Sequence, residues 1–258
     1  MRHLPRLIVL LLALALAGAA AAVASAFIGK RPSPAEADLA GRIRLLADGY
    51  VNLYLLQVGE EQVVLFDCGK DERATAVKAE LVRRGLGPEA VTDLFLTHGH
   101  PDHVGGCRQF PGARVHAFAA DRGLVEGTEG SGGPAGLLVG RARPDLAVQV
   151  TDELVDGGAV GVGDATVRAF ALPGHTPGSG AFLVNGLLLL GDSASATSDG
   201  RVEGAEWIFS LDRTASRAAL AALAARLEAE RADVRALAFS HSGPLDSLEP
   251  LLEFARSH

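Results

Sequence analysis

Cysteine is scarce in this chain. Cys68 and Cys107 are the only two in 258 residues, and they form no C-x-x-C pair. That excludes a cysteine-based zinc site and the dense disulfide framework of a small secreted domain. A surplus of positive charge is also missing. The formal net charge is −7, a poor match to a nucleic-acid backbone, whose binding depends on neutralising phosphates; no nucleic-acid partner is expected. Aromatic residues make up 5% of the chain, with one tryptophan, against 31 glycines. Such a composition suits a compact, loop-rich scaffold. No serine sits in a G-x-S-x-G elbow, Ser179 and Ser193 included, so a serine nucleophile lacks its supporting turn. No internal repeat stands out.

What is present begins at the N-terminus. Arg2 and Arg6 precede an uncharged run from Leu7 to Gly29 that ends its apolar part in Ala24-Ser25-Ala26. A charged start, an apolar core and a small-x-small site read as a secretory signal over residues 1–26, with cleavage after Ala26. The alternative is an uncleaved anchor, because about 20 apolar residues span a bilayer. No Cys follows the run to carry a lipid. Residues 27–40, with Pro32 and Pro34, read as a linker. Residues 41–258 remain, enough for one sizeable domain. Export would permit a Cys68–Cys107 disulfide; without it both cysteines read as small buried residues.

The coarse pattern is mixed α/β. Arg42–Ala47, Val51–Val58 and Gln62–Asp67 are strand-like, and Glu72–Arg84 is helical with Asp71 as a cap. Asp93–Thr97, Arg114–Phe118 and Thr166–Leu172 follow as strands. Ala181–Val184 and Leu187–Leu190 flank Asn185-Gly186, a hairpin signal. Arg213–Ala229 is an amphipathic helix capped by Asp212, Arg235–Phe239 a strand, and Asp246–Arg256 a final helix. Gly127–Gly140 reads as a mobile loop or lid. Two runs of strands, each followed by helices, predict two packed sheets with helices outside, a four-layer αββα sandwich.

Five of the eight histidines fall in one pattern. His98-Gly99-His100-Pro101-Asp102-His103 places four N and O donors in six residues; His175, Asp192 and His241 follow, each just past a predicted strand. One zinc usually takes three or four protein ligands, so seven candidates suit two metals that share a carboxylate. Two adjacent metals clamp a hydroxide and polarise the bond it attacks. Imidazole and carboxylate donors suit zinc and leave iron and manganese open. His116 has no such partners and reads as a core or surface histidine. His3 and His258 are set aside. Trp207 and Phe209 read as aromatic core or as a pocket wall.

Thr97-His98-Gly99-His100-Pro101-Asp102-His103-Val104-Gly105-Gly106 resembles the signature of the metallo-β-lactamase-fold hydrolases, and the likeness runs from about Gly41 to the C-terminal helix. By that resemblance His98, His100 and His175 bind one metal, Asp102, His103 and His241 the second, and Asp192 bridges them. Asp102 and Asp67 are then the candidate catalytic residues: Asp102 orients the nucleophile, and Asp67 orients a ligand histidine or a water. A histidine beside Asp102, an aspartate at 192 and the run Pro173–Ser179 are similar to the glyoxalase II-like branch.

The reading that follows is an exported dinuclear hydrolase that attacks a small-molecule carbonyl (thioester, lactone or ester) with a metal-bridging hydroxide. Alternatives are a β-lactamase-like amide hydrolase and a membrane-tethered metal-binding or sensor protein without turnover. Only seventeen residues follow His241, so the branch's glutathione-binding C-terminal region is not expected here. The quorum-lactone branch often carries a tyrosine near the bridging aspartate, whereas Tyr50 and Tyr54 lie far upstream.

Overall fold

The computed structural model describes residues 17, 18, 20, 21 and 23–257, and the side chains of all of these but 137–139. Two sheets form its inner layers. The first runs in the order β1 (Glu36–Leu39), β2 (Ile43–Asp48), β3 (Val51–Val58), β4 (Gln62–Phe66), β5 (Val91–Phe95), β6 (Arg114–Phe118) and β7 (Asp152–Leu154). Its first four strands are antiparallel neighbours; from β4 onward the pairing is parallel. The second sheet holds β8 (Ala159–Val162), β9 (Ala165–Ala171), β10 (Gly180–Val184) and β11 (Leu187–Leu189) as an antiparallel meander. A small hairpin, β12 (Ala194–Ala196) and β13 (Val202–Gly204), stands apart, and β14 (Ala236–Ala238) joins the second sheet parallel to β11. Helices α1 (Thr75–Arg83), α2 (Pro101–Val104), α3 (Gly133–Val139), α4 (Arg213–Ala229) and α5 (Glu249–Arg256) connect or cover the strands.

Each layer is held by a face the sequence makes apolar. Between the sheets, the buried rings of Phe66, Phe95 and Phe182 meet at centroid distances of 5.5–5.7 Å. Such pairs contribute about 0.5–1.5 kcal/mol each beyond the area they bury. Val77 and Leu81 of α1 cover the outer face of the first sheet against Leu55, Leu65 and Leu94. Leu220, Leu223 and Leu227 of α4, with Leu251 and Phe254 of α5, cover the outer face of the second. The expected αββα sandwich is therefore the observed one. The Asp212 carboxylate caps α4 by accepting from the Thr214 and Ala215 amides at 2.9 Å, which stabilises a helix by about 1 kcal/mol.

The boundaries differ in informative places. The stretch 27–40, expected as a linker, is part of the domain. Lys30 bridges Thr197, the Arg31 amide donates to Ala196 O at 2.8 Å, and β1 pairs along β2. Proline at 32 and 34 rules out a helix but leaves the other amides free to pair with strand edges, and β1 is a half-exposed edge that needs no apolar run. The segment 127–140, expected as a mobile loop, contains α3, which starts at Gly133-Pro134 and packs on residues 207–209. Helix α5 begins at Glu249 rather than Asp246, with Pro250 in its first turn. The expected signal lies largely outside the described residues, although Ala26 is buried against Ala135 and Ile208. No helix among the described residues is long and apolar enough to cross a membrane.

Cys68 and Cys107 are joined as a disulfide, Cα to Cα 5.2 Å. The bond ties the turn after β4 to the segment that follows α2.

Candidate metal centre

Seven side chains converge at the carboxyl ends of strands from both sheets, with Asp67 beside them. Asp67 follows β4; His98, His100, Asp102 and His103 follow β5. His175, Asp192 and His241 follow β9, β11 and β14. Rigid sheet edges thus carry the donors on short loops. Close packing fixes those loops. A Cβ on Gly99 would stand 2.4 Å from Leu124 Cβ, so only glycine fits between His98 and His100. Gly174, at φ 139°, lies against the start of α4, where a Cβ would meet the Ser216 amide at 2.3 Å. The Asp212 amide donates to Gly174 O at 2.8 Å, and that contact sets the height of His175.

Three imidazoles face one point. His175 Nε2 lies 3.2 Å from His98 Nε2 and 3.1 Å from His100 Nδ1. For His98 and His175 the far nitrogens show why these are acceptors. Thr97 Oγ1 donates to Asp67 Oδ2 at 2.7 Å, so it accepts from His98 Nδ1 at 3.1 Å. Ser210 Oγ donates to Glu206 O at 2.6 Å and accepts from His175 Nδ1 at 3.1 Å. Both rings then turn a lone pair inward, as a metal requires. Burial pushes all three imidazoles down, His98 well below its ordinary range, His100 to about 4 and His175 to about 3. They are neutral donors at neutral pH.

The second group is built differently. His103 Nδ1 donates to Asp67 Oδ2 at 2.8 Å, and His241 Nδ1 to Tyr50 O at 2.8 Å, so again the Nε2 atoms point inward. His241 Nε2 stands 3.5 Å from Asp102 Oδ2. Burial presses His103 and His241 down, but carboxylates outweigh it, Asp192 foremost, and both rings are raised. Burial pushes Asp192 up; His241 and His103 hold it well below the carboxylate range. Nearby carboxylates thus set the second group apart from the first.

Asp192 lies between the groups. Its Oδ2 is 3.5 Å from His175 Nε2 and 3.2 Å from His241 Nε2, and its Oδ1 is 3.4 Å from His103 Nε2. Asp192 Oδ1 and His103 Nε2 are buried and have no hydrogen-bond partner. Unpartnered buried polar atoms are costly, and these two are Lewis bases facing each other. Donor atoms of His98, His100 and His175, of His98, His103 and Asp192, and of Asp102, His103 and His241 each lie within 4.8 Å of one another. The residues present fit two cations.

Other candidates fall outside the centre. Asp67 is buried, with Oδ1 on the Thr97 amide at 2.8 Å and Oδ2 on Thr97 and His103. Its carboxylate touches Thr97 and His103 and is not among the residues that line the cavity. His116 is a core histidine: its Nε2 lies 2.7 Å from Asp93 Oδ1, and its ring stacks on Phe95 at 4.3 Å. Ser179 bonds Thr176, and Ser193 Oγ has no partner. Phe209 lines the cavity over the centre, which measures about 630 Å³.

The structure adds residues that the chain order hides. Asp121 Oδ2 accepts from the Gly99 amide at 2.9 Å and from Thr176 Oγ1 at 2.7 Å; its Oδ1 accepts from the Gly178 amide at 2.6 Å. One buried carboxylate thereby joins the two loops that carry His98, His100 and His175. Tyr50, far upstream in sequence, stacks on His241 at 5.8 Å and lines the cavity. Ser210 and Asp121 belong to no motif, so nothing local marks them.

Comparison with known proteins agrees with this geometry. The family model described as Metallo-beta-lactamase superfamily matches residues 46–241. A hydroxyacylglutathione hydrolase of Gloeobacter violaceus is 32% identical over 170 residues, 64% of this chain and 56% of its own. That of Anaeromyxobacter dehalogenans is 34% identical over 152 residues, 59% and 48%. The chain thus spans about half the length of these curated relatives. A metallo-beta-lactamase family protein of Thermus thermophilus has 26% identity and a TM-score of 0.63 over 84% of this chain and 79% of that one. A subclass B3 metallo-beta-lactamase of Bradyrhizobium japonicum, at 19% identity, has a TM-score of 0.64 over 90% and 93%. The latter is a likeness of fold alone.

Proposed function

Because the chain belongs to the metallo-β-lactamase superfamily, a family of metal-dependent hydrolases, we propose that its site holds two divalent ions and hydrolyses a thioester, lactone or ester of a small molecule outside the cytoplasm. The observation that carries this reading is the place of Asp192, whose Oδ2 lies within 3.5 Å of a donor from each histidine group. In this reading His98, His100 and His175 hold one ion, Asp102, His103 and His241 hold the other, and Asp192 is shared. When bound, such a pair supplies a Lewis acid for the carbonyl oxygen and lowers the pKa of water toward about 7.

The chain's own residues supply the rest. Asp102, on the cavity lining, presents a carboxylate that can accept a proton from an entering water. Asp67 and Ser210 hold the rings of His103 and His175 at one tautomer. Burial, with Asp102 next in effect, raises the Tyr50 phenol, which lines the cavity against His241. The histidine and carboxylate donors suit zinc, with iron and manganese as alternatives. Export is supported by the N-terminal pattern and by the Cys68–Cys107 disulfide, a bond of oxidising compartments.

The relatives favour acyl-group hydrolysis over β-lactam hydrolysis, since those at 32% and 34% identity are hydroxyacylglutathione hydrolases. A panel of thioester, lactone, aryl ester, phosphodiester and β-lactam substrates, run on zinc-, manganese- and iron-loaded protein, tests the reading. Turnover of the carbonyl substrates is expected. Turnover of the phosphodiester or the β-lactam alone would overturn it.

A further inference from the structure

Large apolar side chains are rarely left exposed by this fold, and those that are cluster. Eight are exposed among the described residues. Val82 and Val155 lie elsewhere. The other six, Val23, Phe27, Ile28, Tyr50, Trp207 and Leu211, belong to the segments that border the cavity over the metal centre. Val23, Phe27 and Tyr50 line it directly. Phe27 stands edge-on to His241 at 5.9 Å and to Tyr50 at 6.1 Å. Trp207 lies between the lining residues Glu206 and Phe209, and Leu211 packs over Gly132. Within the cavity the wall continues as Ala26, Ala135 and Phe209.

The charges of the cavity point the same way. Its lining includes two cationic residues, Lys30 and Arg143. Lys30 Nζ is held by Glu203 at 2.8 Å, by Glu206 and by Ser195 Oγ at 2.8 Å. Arg143 is held by Asp145 at 2.7 Å and Glu72 at 3.4 Å. Both are already neutralised, so neither offers an unshared cation to a substrate carboxylate. The same cavity that presents His100, Asp102, Asp192 and His241 presents the apolar wall, so a carbonyl placed among these four has that wall within the cavity for its substituent.

Resting on the hydrolase reading above, we propose that the substrate is an electrically neutral acyl ester, thioester or lactone whose alkyl chain lies on the wall of Phe27, Ala135 and Phe209. A glutathione thioester, which carries two carboxylates, fits this cavity poorly. Phe27 follows the expected cleavage site, so it remains in the chain whether or not residues 1–26 are removed.

Two matched comparisons on the metal-loaded full chain test the inference. The first is kcat/KM for p-nitrophenyl octanoate against the acetate. A methylene taken out of water contributes roughly fourfold, so three methylenes seated on the wall raise kcat/KM roughly sixtyfold. Phe27→Ala and Phe209→Ala should each lower the octanoate-to-acetate ratio. The second compares the octanoyl thioester of N-acetylcysteamine, which is neutral, with that of glutathione; the neutral one is expected to be the better substrate. A chain-length ratio near one, or a preference for the glutathione thioester, would overturn the inference while leaving the hydrolase reading intact. A separate readout needs no turnover. Trp207 is the only tryptophan, and its fluorescence should respond to N-octylacetamide at concentrations where N-ethylacetamide has no effect. An equal response to both would overturn the wall; hydrolysis of none of these substrates with a selective fluorescence response would overturn the hydrolase reading instead.

Discussion

Replacing Asp121 with alanine removes the one carboxylate that joins the ligand loops. It accepts the Gly99 amide at 2.9 Å, the Gly178 amide at 2.6 Å and the Thr176 hydroxyl at 2.7 Å. Thr176 keeps a second partner in Ser179 Oγ at 2.7 Å. The two amides do not, and a buried donor left unmade costs about 1–3 kcal/mol. The wild-type carboxylate is itself raised by burial, which offsets part of what its hydrogen bonds contribute. The loss should therefore be about 2–4 kcal/mol, and for a domain of this size that lowers Tm by about 5–15 °C. Metal affinity should fall about tenfold to a hundredfold, as for other partners that orient ligands, because His100 and His175 are no longer held in register. Asp121→Asn retains one acceptor and should lie between. Calorimetry gives the Tm and chelator competition gives the affinity. Unchanged metal affinity in a folded Asp121→Ala protein would refute the positioning role, whatever happens to Tm.

Asp192→Asn keeps the shape of a residue whose Oδ1 has no hydrogen bond in the fold, so the variant should fold, lose at least one metal by elemental analysis and hydrolyse far more slowly. Asp67→Asn should keep both metals yet lower kcat by about tenfold to a hundredfold, since its carboxylate touches His103 and not the cavity; a fall as large as that of Asp192→Asn would place it in the reaction itself. Cys68→Ala with Cys107→Ala opens a crosslink over a sequence separation of 39, worth about 3–4 kcal/mol by the chain-entropy account; urea unfolding should show that loss, and reduced wild type should match the variant.

Much of the centre was legible because its ligands are local signals. Four stand in six residues, and the rest each follow an apolar strand, so the order of strands and donors carried the convergence. The fold was legible where patterns are long: Val51–Val58 and Arg213–Ala229 have the bounds expected of them. It was not legible at β7, β12 and β13, whose three residues are too few to show a period. Nor was the pinning of Lys30 to Ser195, Glu203 and Glu206, since nothing near Lys30 in sequence indicates the partners. Tyr50 shows the same limit. Its carbonyl orients His241 across 191 residues, and distance in the chain argued against it until the sheets placed it there. Asp121 and Ser210 act on loops 55 and 35 residues away, contacts that only the packed structure makes.

In the proposed centre Asp192 joins two cation sites. Elemental analysis of the full chain, loaded with zinc, manganese or iron and desalted, tests it most directly. Two ions per chain are predicted for at least one of these metals. A ceiling of one ion per chain under every loading condition would contradict the claim.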